Sequence, residues 1–284
     1  MHTPQLVSVV ITTYNRSDAL LAVLDGLSRQ TDQKFEVIVA DDGSRDEHRH
    51  RIFESKNAQA LHVIHVWHPD VGFTASRVRN RGVAAASGDY IVFLDGDCVP
   101  ELDFIARHKA LACKGSFVNG SRVLLAPALT QKVLVGQAQV SGRSIIYWVS
   151  QRFQGQANKL TGLLRLPDWR WRVQPKFSWK GIRSCNMGVW RADFERVDGF
   201  DESFVGWGHE DADLVLRLHH NGVIRKNAFC ATEVFHLWHR EAARDQESHN
   251  AQLVLARSQT GVTQPATGYS QARINDDVQV TRLG

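Results

Sequence analysis

The chain is poor in the features that would mark several protein classes. It has four cysteines in 284 residues, Cys98, Cys113, Cys185 and Cys230, and no two are spaced as CxxC. That argues against a zinc ribbon or a disulfide scaffold and fits a reducing compartment. No apolar run approaches the ~18 residues that a membrane span requires. The opening "MHTPQLVSVVITTYNR" has no basic n-region and no long apolar stretch, which argues against a signal peptide. There is no internal repeat and no RNP, helix-turn-helix or zinc-finger pattern, so nucleic acid is not the expected partner. Disorder finds little support either, because 43% of the residues are apolar and 23% charged, an ordinary globular balance. The length suits one large domain or two small ones. Only residues 258–284 are polar and aperiodic, and they read as a tail or peripheral arm.

What is present alternates between two periods. "LVSVVIT" (6–12), "FEVIVA" (35–40), "LHVIHV" (61–66) and "YIVFLD" (90–95) read as buried strands. Between them, helices are predicted over 17–30, with Leu20, Leu21, Val23, Leu24 and Leu27 on one face, over a polar 46–56, and over 74–87. Strand–helix–strand alternation at this spacing predicts an α/β fold, a mostly parallel sheet with helices on both faces. Ligands then bind beyond the carboxyl ends of the strands, where "TTYNR", "DDGS" and "DGD" should meet. The rest is less regular. It holds a predicted strand over 117–127, a helix in the latter part of 199–222 stopped by Gly222, and the segment "AFCATEVFHLWHRE".

The strand ends carry acids. Asp95 and Asp97 flank Gly96, and on an extended backbone residues two apart point to the same side. Carboxylates so placed repel unless a cation lies between them, and a hard divalent ion would leave positions for phosphate oxygens. Gly96 would let a ligand approach closely. A turn with two solvated acids is the plainer reading of so short a motif. "DDGS", with Asp41 and Asp42, reads either as a turn or as an acceptor for a pyrimidine ring N–H. Glu210 and Asp211 in "HED" suit a helix N-terminus, which favours acids in any case, or a general base. His236 and His239 in "HLWH" could complete a metal shell.

Four stretches, "SVVITTYNR", "VIVADDGS", "GFTASRVRNRGVAAASGDYIVFLDGDCVP" and "NMGVWRADFERVDGFDESFVGWGHEDADLVLRL", resemble the family 2 glycosyltransferases of the GT-A fold. The later half is similar to the galactosyltransferase-type GWGxED module, also seen in bacterial chondroitin-polymerase-like and animal β-1,4-galactosyltransferase-like enzymes. The resemblance implies an inverting transferase that moves a sugar from a UDP-sugar to a glycan or glycolipid hydroxyl, with Mn²⁺ or Mg²⁺ as cofactor. It implies a donor site at Thr12, Tyr14, Arg16, Asp41, Asp42, Arg79, Asn80, Asp95 and Gly96. Asp97 would ligate the metal, with His239, or alternatively His236, as the late ligand. Asp211 would be the base beside Glu210, and Asn186, Trp207 and Gly208 would contact sugar. Gly96 stands where many relatives carry a larger residue, which bears on the ribose side of the donor. Residues 1–100 would then bind the nucleotide sugar, and 101–257 would bind the acceptor and carry the base.

Charge is uneven. Residues 141–196 hold eleven Lys and Arg against three acids, an excess of eight, with nine aromatics, five of them Trp. A solvated basic face over a Trp-containing core is one reading. The other is an acceptor side that meets an anionic or membrane-associated glycan through groups such as Arg170, Arg172, Trp169, Trp171 and Trp179. Such an enzyme would be cytoplasmic, peripheral at the inner membrane, and engaged in capsule or lipopolysaccharide synthesis. The rival from another class is a glycan- or nucleotide-binding module without catalysis, against which four intact acids speak. A nucleotidyltransferase is disfavoured because "TTYNRSDAL" is not the Gly-rich basic loop such enzymes carry.

Overall fold

The run "VSVVITT" forms β1 (Val7–Thr13), and its pleat sorts the side chains onto two faces. Val7, Val9 and Ile11 enter one apolar cluster and Val10 the other. Both faces are dry because helices cover both, so the strand reads as a continuous β-branched run. The structure is a computed structural model that describes residues 3–160, 163–240, 247–272 and 277–284.

The chain continues through α1 (Ser17–Ser28), β2 (Phe35–Asp41), α2 (Asp46–Phe53), α3 (Lys56–Ala60), β3 (Ile64–Trp67), α4 (Ala75–Ala85) and β4 (Tyr90–Asp95). α1 buries Leu20, Leu24 and Leu27 against the Val7 face. On the opposite face, Val78 and Val83 of α4 join Val10, Ile38 and Ala40. The polar helix expected over 46–56 is two helices, because the Ser55 hydroxyl accepts from the Ala58 N–H and starts a new one. The third strand begins at Ile64 because 61–63 form the turn that leaves α3.

The second half contains β5 (Cys98–Pro100), α5 (Phe104–Leu111), β6 (Ser116–Asn119), β7 (Arg122–Leu124), α6 (Pro127–Leu134), α7 (Ile145–Phe153), β8 (Val173–Gln174), β9 (Asn186–Trp190) and α8 (Arg191–Arg196). Then come α9 (Glu210–His220), β10 (Ile224–Asn227), β11 (Val234–His236), α10 (Glu247–Ser258), α11 (Tyr269–Ala272) and β12 (Gln279–Arg282). The large sheet runs β12-β3-β2-β1-β4-β9-β6-β10-β8. Its β3-β2-β1-β4 half is parallel, and β9 runs antiparallel to both its neighbours, β4 and β6. A smaller sheet is ordered β5-β11-β7.

Two expectations need correction. The single strand over 117–127 is β6 and β7, which leave each other at Gly120 and join different sheets. The polar segment after 258 returns to the body. Tyr269 packs edge-on against Phe194 at 5.6 Å, Asp277 meets Arg77 and Arg81 at 2.7 Å each, and β12 pairs antiparallel with β3. Its polarity reflects an edge position, half in water.

Candidate active site

The strand order reverses direction at β1, which lies between β2 and β4, so the crevice opens beyond the carboxyl ends of β1 and β4. In register, Thr12 pairs with Asp95 and Thr13 with Asp41, so the three polar strand ends share one edge. Their acids are not equally available. Asp41 turns inward, 2.9 Å from His65 Nε2, and accepts the Ser44 N–H at 2.8 Å. Asp42 accepts the Thr74 N–H at 2.9 Å and the Thr74 hydroxyl, with His68 Nε2 at 3.2 Å. Tyr14 is exposed, and its hydroxyl donates to Asp70 at 2.8 Å. Arg16 pairs with Asp18 at 3.0 Å and lines a cleft of about 530 Å³ together with Thr130, Gln131, Trp238, His239 and Arg240.

Asp95 and Asp97 lie near enough for the charge of Asp97 to push the Asp95 carboxyl up, yet they take different partners. β4 ends at Asp95 and the chain turns at 96–97, so the extended-strand geometry expected of them does not apply. Asp95 meets Arg79 Nη2 at 3.3 Å, while Nη1 of the same buried guanidinium donates to Glu210 at 3.1 Å. Arg79 therefore joins the strand-end acids to the helix-start acids. Burial pushes the Asp95 carboxyl up, and Arg79 draws it back down. The Gly96 N–H donates to Thr12 O at 2.8 Å, and a Cβ at Gly96 would stand 2.9 Å from that oxygen. What approaches Gly96 closely here is the end of β1.

Asp97 faces the smaller sheet. Cys98 is in register with His236, and the Leu237 N–H donates to Asp97 O at 2.9 Å. His236 Nε2 lies 3.6 Å and His239 Nε2 3.2 Å from the Asp97 carboxylate, with the two rings 5.2 Å apart. Burial holds His236 down to about 4, so its imidazole is neutral and has a lone pair to give. Asp97, Cys98 Sγ and His236 present ligand atoms within 4.8 Å of one another, but burial raises the Cys98 thiol well above the usual range. One carboxylate and two imidazoles fit a borderline divalent cation, and both histidines stand at Asp97.

Across the crevice, α9 begins after a strained turn. Gly206, His209 and Gly208 have φ of 78°, 69° and 105°. Glycine adopts that region freely, whereas His209 is held in it. The turn sets Glu210 and Asp211 in the first helical turn, and α10 supports it through Asn250 Nδ2, which donates to Gly208 O at 2.9 Å. Asp211 accepts the Ser184 N–H at 3.3 Å. Burial first, and then the charge of Glu210, raise its carboxyl to about 7. That is the range in which a carboxylate can take a proton near neutral pH.

Two of the expected site residues are not brought to the crevice. Asn186 is buried, with Oδ1 taking His108 Nε2 at 3.0 Å and Nδ2 donating to the carbonyls of Ser121 and Thr232. Asn80 is buried too, exchanging bonds of 2.9 Å with the Phe200 N–H and C=O. Both are latches between chain segments. In the basic segment, Arg172 is a buried pin whose guanidinium donates to the carbonyls of Leu166, Pro167, Asn227 and Phe229 at 2.7–2.9 Å. Trp148 is buried, stacked on Phe235 at 4.4 Å, while Trp169 and Trp171 are exposed. Sequence reasoning missed Thr74 and His68 around Asp42, the Ser184 amide at Asp211, and Arg122, whose charge draws the Asp95 carboxyl down. Thr74 stands five residues before Arg79 in the same quoted stretch; the others carry no local signal.

The family model described as "Glycosyl transferase family 2" matches residues 8–162, and the model "N-terminal domain of galactosyltransferase" matches residues 170–240. Validoxylamine A glucosyltransferase of Streptomyces hygroscopicus subsp. jinggangensis is 30% identical over 78% of this chain and 53% of its own length. Chondroitin synthase of Escherichia coli is 32% identical over 76% of this chain and 32% of its own. The chain thus spans about half the length of the first relative and a third of the second. Among solved structures, a Pyrobaculum calidifontis mannosyltransferase in complex with GDP-Man and Mn²⁺ superposes with a TM-score of 0.53 at 18% identity, over 91% of this chain and 63% of that one.

Proposed function

The chain belongs to glycosyl transferase family 2, and we propose that it is a metal-dependent, inverting transferase that moves a sugar from a UDP-sugar to a hydroxyl of a glycan acceptor. The observation that carries this reading is the pairing of two acid sites through Arg79, with Asp97 among imidazoles on one side and Asp211 raised to about 7 on the other. The fold is GT-A, as the sequence implied, and the solved mannosyltransferase shares it.

Asp97, His236 and His239 would hold the divalent cation, Mn²⁺ or Mg²⁺. When bound, that ion neutralises the charge that builds on a diphosphate leaving group. The chain's own residues supply the rest. Thr12, Tyr14, Arg16 and Asp42 border the crevice where a nucleotide would lie, and the cleft beside His239 leaves room for substrate. Asp211, desolvated yet anionic above about 7, accepts the proton of the acceptor hydroxyl as that oxygen attacks the anomeric carbon. Arg79 holds Glu210 and Asp95 in place and keeps those two carboxylates from repelling each other. Attack from the face opposite the leaving group inverts the centre in one step, so a single base suffices.

The acceptor is proposed to be a bacterial cell-surface glycan or glycolipid, met partly by exposed Trp169, Trp171 and Trp207's loop. Among the described residues no helix is long and apolar enough to cross a membrane. The test is a panel of UDP- and GDP-sugars, read by nucleoside-diphosphate release with and without Mn²⁺. Metal-dependent release from one UDP-sugar supports the reading. Release unaffected by excess EDTA contradicts it.

A further inference from the structure

We propose that α7 is a docking helix for an anionic lipid surface. Ile145 is 61% exposed, Ile146 78% and Phe153 89%. On a helical projection of ~100° per residue these three and half-buried Val149 fall within one sector of about 100°. Trp148 points about 60° to the other side, into the core, where it stacks on Phe235 at 4.4 Å and 6°. The helix is therefore anchored by one face and presents a second apolar face to water. Ser144 caps it through the Tyr147 N–H, so the face is set by a formed helix and not by a loose loop.

The charge around it selects the partner. Residues 104–167 contain nine Lys and Arg and no Asp or Glu. Arg107, Lys109 and Arg165 are paired with Asp103 and Asp32. Exposed Arg143 and Arg152, one before the helix and one in its last turn, meet no carboxylate among the described residues. An apolar ridge with uncompensated arginines at both ends is the pattern of a helix that lies in a bilayer interface, its side chains in the acyl boundary and its cations among headgroups. Lys114 and Lys132 are exposed as well. A second copy of the chain fits less well. Four side chains on a helix of about 13 Å do not furnish the ~800 Å² per partner of a stable protein interface, and pairing this face with itself would oppose like charges.

The inference stands without the transferase reading. Where that reading holds, the two connect, because Phe235 immediately precedes His236. Docking would bring the turn that carries Asp97 toward a surface that carries lipid-linked acceptors.

The test is co-sedimentation of the full chain with vesicles of phosphatidylcholine alone or with phosphatidylglycerol added. The chain is expected to sediment with the anionic vesicles at low ionic strength, to be released as salt shortens the Debye length, and to ignore the neutral ones. Ile146→Asp with Phe153→Asp is expected to weaken partition by about tenfold or more while nucleoside-diphosphate release and the circular dichroism spectrum stay unchanged. Arg143→Gln with Arg152→Gln is expected to weaken it and flatten its salt dependence. Wild-type protein that leaves anionic vesicles unbound overturns the proposal. So does an Asp double variant that still binds them, or a concentration-dependent dimer that the double variant abolishes, which would make this face a protein interface.

Discussion

At the strand end the acids face imidazoles and a guanidinium, and at the helix start Glu210 shares that guanidinium while Asp211 faces a backbone amide. Asp97 lies 3.2 Å and 3.6 Å from two histidine nitrogens, a set of donors suited to share a cation. Asp211 is drawn out of water with one amide at 3.3 Å and Glu210 beside it, and its carboxyl rises to about 7. The same side chain is thus suited to hold a metal in one place and to take a proton in the other. Environment decides the role, and Arg79 between them lets both sites exist within one crevice without mutual repulsion.

The largest effect is expected at Asp97. Asp97→Asn should cut transfer by a factor on the order of 10³ or more, with excess Mn²⁺ unable to restore it. The folded state should persist, as circular dichroism would show. Substantial turnover by this variant would remove the cation from the account. At the other acid, Asp211→Asn should lower kcat by about 10²–10⁴ while donor KM changes little. An equal loss of donor binding would place Asp211 in the ground-state complex instead.

The pH dependence sharpens the same contrast. Asp211 works as the base only when deprotonated, and its carboxyl is raised to about 7. The rate should therefore rise with pH through about 7 and level off above it. In Asp211→Asn the residual rate should lose that step. A wild-type profile flat from about pH 5 to about pH 8 would assign the proton to another group. The smallest kinetic effect belongs to Arg172. Arg172→Ala removes four buried bonds to carbonyls, and a loss of about 3 kcal/mol in urea unfolding is expected. Donor and acceptor KM of the folded fraction should stay near wild type. A selective rise in acceptor KM would return Arg172 to the substrate side, where sequence composition alone had put it.

The legible part of the chain is the part whose signals are local. β1, β2 and β4 are readable because both faces of each strand are buried, which makes a continuous apolar run, and because a helix with its own period follows β1 and β2 and precedes β4. The strand ends followed from the rule that parallel sheets gather them at one edge. The second half is built from long-range choices that no window contains. β6 and β7 separate into two sheets within a few residues, and the segment after 258 reads as a tail because an edge strand needs little apolar surface. Arg172, Asn80 and Asn186 look like surface or site residues in sequence. Each is a buried polar group with all its bonds made at distances along the chain that composition does not record. The turn after Asp95 had the same effect on the DxD pair, whose two acids were expected on one side and face different partners.

The most direct test of the divided roles is calorimetric titration of UDP into wild type, Asp97→Asn and Asp211→Asn, each with and without Mn²⁺. Mn²⁺ should tighten UDP binding by about tenfold or more in wild type and in Asp211→Asn, and have no such effect in Asp97→Asn. A metal-dependent gain that survives in Asp97→Asn, or is lost in Asp211→Asn, would contradict the assignment of cation to one acid and proton to the other.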